Sequence, residues 1–453
     1  MADFLLGLDG EPISPARMSE ALAMLDDTNP SQTVTVVDIV PGTECRQGNA
    51  NSVVLSLSLS NTDATATLFL KKVSPQAFGD KSWTDLRRTL AYARTEVRFY
   101  REFATRLRTK GVKIPRCALI DERLELLLGN SEVVAPPDET EPSVELLHAG
   151  GALLFLETVD STNFFQLSPL NESQATTALR AAADMHAAAF EDRALLTSAA
   201  TRLQRYGGSF ALSIRNPKEL TKLHSNWIRF IEMFASYDPA LFARPTVCKL
   251  GERLHRWSSW VAKQLEASPS NPYATLIHGD YKAMNIFLPN DTVVGKDADA
   301  LLIDFASSGV GYGPSDIAMH LAHSVAPEIL DDNAGEDRLL DVYLDAFAKA
   351  RQRIKQAGVG AGVGAGVGVG VGVDTEEYPR DLALRHYRLA LIDYGRFVVS
   401  RFWTDATPDL FFKKKDTPNC TLVNRNIKAA LRFIDRIDVC LASFEAEGID
   451  PLV

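Results

Sequence analysis

The apolar residues of this chain change period partway along, and that change limits what it can fold into. "TVTVVDIV" (33–40), "SVVLSLSLS" (52–60) and "ATATLFLKKV" (64–73) are β-branched, alternating runs separated by glycine-bearing or polar turns. They predict the start of an antiparallel sheet. A long helical pattern follows, "SWTDLRRTLAYARTEVRFYREFATRLRTKG" (82–111), with Gly111 as its stop. "LELLL" (124–128) and "ALLFLETV" (152–159) read as two more strands, joined through the Pro-rich surface loop 135–143. Beyond residue 170 the pattern is helical: 171–190, 216–237, 249–268, and again from Asp316 to the end. The clear strands there come from the stretches 276–290 and 298–309. Strands gathered first and helices after predict an α+β fold with a small β-rich lobe and a larger helical one.

The expected organisation has three parts. Residues 1–30 form a helical extension, begun by Ser14-Pro15 and serving as an appendage to the main fold. Residues 31–157 form the sheet-and-helix lobe, and residues 158–453 the helical lobe. The helical lobe is interrupted at 357–373 by "AGVGAGVGAGVGVGVGV". Glycine at nearly every second position disfavours a helix by about 1 kcal/mol each relative to alanine, so this run predicts a flexible insert, not a membrane span.

With 453 residues and 46% hydrophobic content, the chain can bury a sizeable core. Its net charge of -10 argues against nucleic acid or an anionic membrane as the main partner. Five scattered cysteines without a CxxC pair suggest neither a zinc site nor a disulfide framework. The first residues lack the basic start and apolar length of a signal peptide. A cytoplasmic protein is the expectation.

The chemistry concentrates in "LIHGDYKAMNIFLPN" (276–290). Asp280 and Asn285 stand between two strand-like runs, and Asp304 closes a further one in "LLIDFASSG". Aspartate and asparagine are poor strand formers, so a role in the turn or in chemistry is needed to place them there. Mg²⁺ prefers hard oxygen ligands and takes few from protein. Asp304 and Asn285 offer a charged and a neutral oxygen, which leaves Asp280 to accept or orient a hydroxyl proton. Gly279 lets the turn pass close to its neighbours.

"HGDYKAMN" followed by "IDF" resembles the catalytic and metal motifs of the aminoglycoside phosphotransferase and choline kinase superfamily. The nearer likeness is to its CHK kinase-like, ecdysteroid-kinase-like branch, which "GVGYGPSDIAMHL" (309–321) also fits. The resemblance implies a two-lobed protein-kinase-like fold, with ATP and Mg²⁺ used to phosphorylate a small-molecule hydroxyl. Asp280 would be catalytic, Asn285 and Asp304 metal ligands, and His278 a residue that holds the turn. Lys282 would reach the γ-phosphate. The phosphate-binding lysine would be Lys71 or Lys72, with Lys71 favoured, paired with Glu96. Gly48 and Ser52 would lie nearest the phosphate-covering turn, although that turn lacks a clean GxGxxG. Backbone from Glu157 to Val159 would meet adenine. Asp316 would cap its helix and brace the catalytic loop, and His186 would pack within its own helix. His320 and His323 share a helix but show no acidic partner for a metal.

Two other functions fit parts of the pattern. A non-catalytic nucleotide-binding scaffold would keep the fold without turnover. A protein kinase fits the Asp-x-Lys-x-x-Asn spacing, but the twelve residues from Asp304 to Asp316 leave no room for an activation segment.

Overall fold

The computed structural model describes residues 5–25, 35–47, 50–60, 64–79, 81–129, 141–215, 218–290, 299–331, 334–360, 378–415 and 426–452. An antiparallel sheet carries β1 (Val36–Pro41), β2 (Cys45–Gln47), β3 (Ala50–Leu59), β4 (Thr65–Val73), β5 (Cys117–Glu122) and β6 (Ala152–Glu157). Its order is β1-β3-β4-β6-β5, with β2 paired to β3. The rest of the chain is mainly helical. It is punctuated by β7 (Phe164–Phe165), β8 (Thr275–Ile277), β9 (Ile286–Pro289), β10 (Leu301–Leu302) and β11 (Gly309–Gly311). The α+β class expected from the sequence, with an antiparallel sheet first and a larger helical part after it, is what the structure has.

Strand alternation divides the sheet between two cores. Leu68 and Leu70 of β4 lie in one apolar cluster with Val53, Leu55, Leu153 and Phe155. Phe69 and Val73 turn the other way, into the main core shared with the Trp83–Arg98 helix. Successive side chains on a strand point to opposite faces, so Lys71 and Lys72 cannot do the same job.

The expected appendage is part of the first core. The Pro15–Ala23 helix starts as the sequence suggests, with Ser14 as N-cap accepting from the Arg17 N–H and proline in its first turn. It buries Met18 and Ala21 against β1 and the sheet. Ser19 accepts a hydrogen bond from the Val36 N–H, and Arg17 pairs with Asp121. The carbonyl of Leu6 accepts from Lys72 Nζ at 2.9 Å.

A second difference concerns "LELLL". Glu125–Leu128 is a helical turn, and the strand is Cys117–Glu122, paired to β6. Leucine and glutamate are helix formers with no β-branching to hold an extended run. Glu122 also accepts from the Leu124 N–H, which turns the chain out of the strand.

The 82–111 helix is continuous in path but not in kind. Phe99–Phe103 forms a π-turn between two α-helical stretches. The bulge sets Phe99 flat against Phe305, with centroids 3.8 Å apart, immediately beside Asp304.

In the helical lobe, Glu172–Phe190 opens with a complete capping box between Asn171 and Gln174. It packs with Pro314–Ser324, Gly335–Gly360, Arg380–Phe397 and Ile427–Ala446 around one core. The 216–237 helix is broken into Lys218–Thr221, Leu223–Phe234 and a 3-10 turn, Ala235–Tyr237. Helix continues through Gly360, so the glycine–valine run begins inside it, while 361–373 lies outside the described residues. No helix among the described residues is long and apolar enough to cross a membrane.

Candidate active site

Two small β-ribbons hold the motif of residues 276–290. β8 leads into His278 and pairs with β11, while β9 follows Asn285 and pairs with β10. Between β8 and β9 the chain makes a tight loop ending in the 3-10 turn Ala283–Asn285. Gly279 sits in that loop at φ +80°, and a Cβ there would come within 2.1 Å of the Ser307 carbonyl oxygen. Only glycine allows both the conformation and the approach.

The loop is fixed from beneath by one carboxylate. Asp316 accepts from the His278 N–H (2.7 Å) and the Gly279 N–H (2.9 Å), and lies 3.1 Å from His186 Nε2. His186 in turn meets the Tyr343 hydroxyl at 3.0 Å. Asp316 braces the loop as expected, but it does not cap its helix. Gly313 stands at the N-cap with no side-chain bond, and the carboxylate is spent on the loop. His186 does more than pack, since it completes this buried chain.

His278 is fully buried. Its Nε2 faces the Ile303 carbonyl at 2.8 Å, and its Nδ1 accepts from the Asp280 N–H at 3.3 Å. A carbonyl can only accept, so Nε2 carries the proton and the ring is neutral. Both nitrogens are occupied by backbone groups, an arrangement that positions Asp280 and leaves no proton to relay.

Asp280 is bonded differently at its two oxygens. Oδ2 receives Lys282 Nζ at 2.8 Å and Asn285 Nδ2 at 3.1 Å. Oδ1 receives the Ser209 hydroxyl at 3.2 Å. Asn285 Nδ2 also reaches the Asp280 carbonyl at 2.8 Å, which leaves Asn285 Oδ1 uncommitted by these contacts. Burial lowers the Lys282 pKa, but Asp280 outweighs it and the ammonium is held above its usual value.

A second cluster joins the lobes. Lys71 Nζ lies 2.6 Å from Glu96 and 3.0 Å from Asp304 Oδ1. Glu96 is 2% exposed. Burial pulls Lys71 down, yet Asp304 and Glu96 more than offset it, so its pKa is raised. Burial pushes the Asp304 carboxyl up, but Lys71 and then Lys282 hold it below the ordinary range. Glu96 is raised, chiefly by burial. Asp304 adopts φ +65°, ψ +64°, left-handed backbone that non-glycine residues seldom occupy and that tends to gather at functional sites.

The structure thus brings Lys71, Glu96 and Asp304 into one cluster, with Asp280, Lys282, Asn285 and His278 adjoining it. Lys72 is turned away, as strand alternation requires. Ser52 lies within β3, opposite Lys71 and Cys45, buried in the sheet and not in a turn. Gly48 lies outside the described residues. Glu157 ends β6, its N–H on the Arg116 carbonyl and its carboxylate on the Arg116 side chain. Val159 follows in irregular chain, part buried. His320 is buried with neither ring nitrogen bonded, and burial lowers its pKa to about 4.

Sequence reading missed the segment Gln204–Ser209. It runs beside the loop and β11, and hydrogen-bonds through Ser209 N–H to Gly279 in the loop (2.7 Å), Gly208 N–H to Ser307 and Gly207 N–H to Val310 of β11. The signal was the glycine pair in "RYGGSF", where small residues mark close backbone approach.

The oxygens on hand suit a hard divalent cation. Among the described residues Asn285 Oδ1 and Asp304 Oδ2 have no partner, and Mg²⁺ takes only one or two protein oxygens in such sites.

Residues 138–356 match the model of the Ecdysteroid kinase-like family, so the resemblance read from the motifs is borne out over that span. Among solved structures, the choline kinase LicA from Streptococcus pneumoniae is 11% identical, with a TM-score of 0.36, covering 90% of this chain and 94% of that one. A choline/ethanolamine kinase family protein from Mesorhizobium loti is also 11% identical, with a TM-score of 0.32, covering 93% and 99%. No curated protein matches the chain.

Proposed function

We propose that this chain, ecdysteroid kinase-like over residues 138–356, transfers the γ-phosphate of ATP to a hydroxyl of a small molecule. The observation that carries the reading is the Lys71 ammonium held between Glu96 and Asp304, near an Asp280 whose partner Lys282 also acts on the Asp304 charge. An ammonium fixed by a buried glutamate is the arrangement that steadies nucleotide phosphates in kinases, and one further carboxylate nearby serves the hydroxyl.

Each residue then has a task. Lys71, oriented by Glu96, binds α- and β-phosphate oxygens. Asn285 and Asp304 would hold Mg²⁺, which when bound neutralises phosphate charge. Lys282 adds positive charge next to Asp280. Asp280 orients the acceptor hydroxyl and takes its proton as the O–P bond forms and ADP departs. His278, Gly279 and Asp316 keep Asp280 in place. Transfer of this kind needs positioning and charge neutralisation more than covalent help from the protein. The interval after Asp304 holds a 3-10 turn, β11 and the start of the Pro314–Ser324 helix, which supports a small-molecule acceptor over a protein substrate.

The test is a thermal shift with Mg²⁺ and ATP on wild type, Asp304→Ala and Asp280→Asn, followed by ADP release against a panel of alcohols. A ligand at ~100 times its Kd adds ~2.7 kcal/mol of stability. Wild type and D280N should both shift while D304A does not, and D280N should release ADP at a small fraction of the wild-type rate. Binding without ADP release from any alcohol would move the reading to a nucleotide-binding scaffold.

A further inference from the structure

We infer that Ser209 is a positioning residue that presents Oδ1 of Asp280 as the oxygen that takes the acceptor's proton. The inference rests on the proposed phosphotransfer. An ionised carboxylate oxygen has two lone-pair sites. On Oδ2 both are taken, by Lys282 Nζ at 2.8 Å and Asn285 Nδ2 at 3.1 Å. Among the described residues Oδ1 receives one donor, the Ser209 hydroxyl at 3.2 Å, which leaves it one site. The acceptor hydroxyl therefore bonds to Oδ1, next to Ser209 Oγ. Its proton passes to Oδ1, its oxygen bonds to phosphorus, and the bond from phosphorus to the ADP oxygen breaks.

Ser209 is itself held firmly. Its N–H donates to the Gly279 carbonyl at 2.7 Å, inside the loop that carries Asp280. Its neighbours meet that loop and β11 through a seam of glycines. A Cβ on Gly279 would stand 2.7 Å from the Gly208 nitrogen, and one on Gly309 would stand 2.8 Å from the Gly207 nitrogen. Contact this close, backbone to backbone, fixes the height of the Ser209 hydroxyl relative to Asp280. Without that donor, the carboxylate is tied only on its Lys282 and Asn285 side and is free to rotate Oδ1 away from the acceptor.

The experiment needs no identified acceptor, because water serves as the probe. ADP release from Mg²⁺ and ATP is measured for wild type, Ser209→Ala, Ser209→Thr, Asp280→Asn and the S209A/D280N pair. Loss of a hydrogen bond to a charged group corresponds to ~10-fold to 100-fold in rate. The expected result is a fall of that size in kcat for S209A, with KM for ATP within about twofold and the rate restored in S209T. In the D280N background S209A should have no further effect, since a residue acting through Asp280 has nothing left to act on. A structural role would instead add its loss to that of D280N. Wild-type kcat in S209A, or full additivity in the pair, would overturn the inference and leave the proposed function standing. ADP release equal in wild type and D280N would overturn both.

Discussion

Replacing Lys71 with methionine should unfold the protein more easily as well as disable it. Lys71 Nζ stands 2.6 Å from a Glu96 carboxylate that is almost without solvent. At an effective dielectric of about 20, two unit charges at that distance attract by ~6 kcal/mol before desolvation is subtracted. Removing one partner of a buried pair leaves the other uncompensated, at a typical cost of 3–5 kcal/mol. Asp304, the other carboxylate, has a side chain 30% exposed and can be rehydrated, so Glu96 bears most of the cost. We expect Lys71→Met to lose about 3 kcal/mol at pH 7, read from urea unfolding curves. The pair Lys71→Met/Glu96→Gln should recover most of it, because the amide brings no charge. The pH dependence has a definite sign. With the ammonium gone, burial keeps the folded-state pKa of Glu96 above its unfolded value. The penalty is then absent below the unfolded pKa and grows as pH rises past it, so the K71M deficit should shrink between pH 7 and pH 5. A K71M protein within about 1 kcal/mol of wild type at pH 7, or a double variant no better than the single, would refute this account of the cluster.

Other outcomes follow from the same physics. Gly279→Ala should cost more than the ~1–2 kcal/mol of a left-handed alanine and abolish ADP release, because its Cβ would collide with the Ser307 carbonyl. Burial lowers the pKa of His320 and of His386 to about 4, below the unfolded value near 6.5. Their stabilisation is full above the unfolded pKa and is lost as pH falls towards 4. Acid unfolding should therefore steepen in that window, by as much as ~3 kcal/mol per histidine, and His320→Phe should blunt it. Among Cys117, Cys248 and Cys440, a thiol reagent on the native protein should label Cys248 first and fastest, since Cys440 is buried, Cys117 is half-buried, and burial raises the pKa of both to about 12.

The strands that alternate β-branched residues were legible from the sequence, as were the amphipathic helices with caps. Signals of this kind are local and repeat within a few residues. "LELLL" was misread because an apolar run of leucines has no period of its own, and its state was decided by the edge that Cys117–Glu122 already filled. The motif spacing picked out Asp280, Asn285 and Asp304, and strand parity could have separated Lys71 from Lys72 before any coordinates. Ser209 could not be found this way. It lies 71 residues from Asp280, in a segment with no period, and acts through one hydroxyl and a backbone seam. The division of labour between the two oxygens of Asp280 is likewise a matter of direction, which spacing does not encode.

The docking of the first helix bears on how the chain can be handled. A boundary drawn at residue 31, where the sheet begins in sequence, would strip Met18 and Ala21 from a core that includes β4. It would also remove the Leu6 carbonyl that anchors Lys72, the immediate neighbour of the lysine in the cleft. An expression fragment meant to keep the proposed nucleotide site intact must carry this segment.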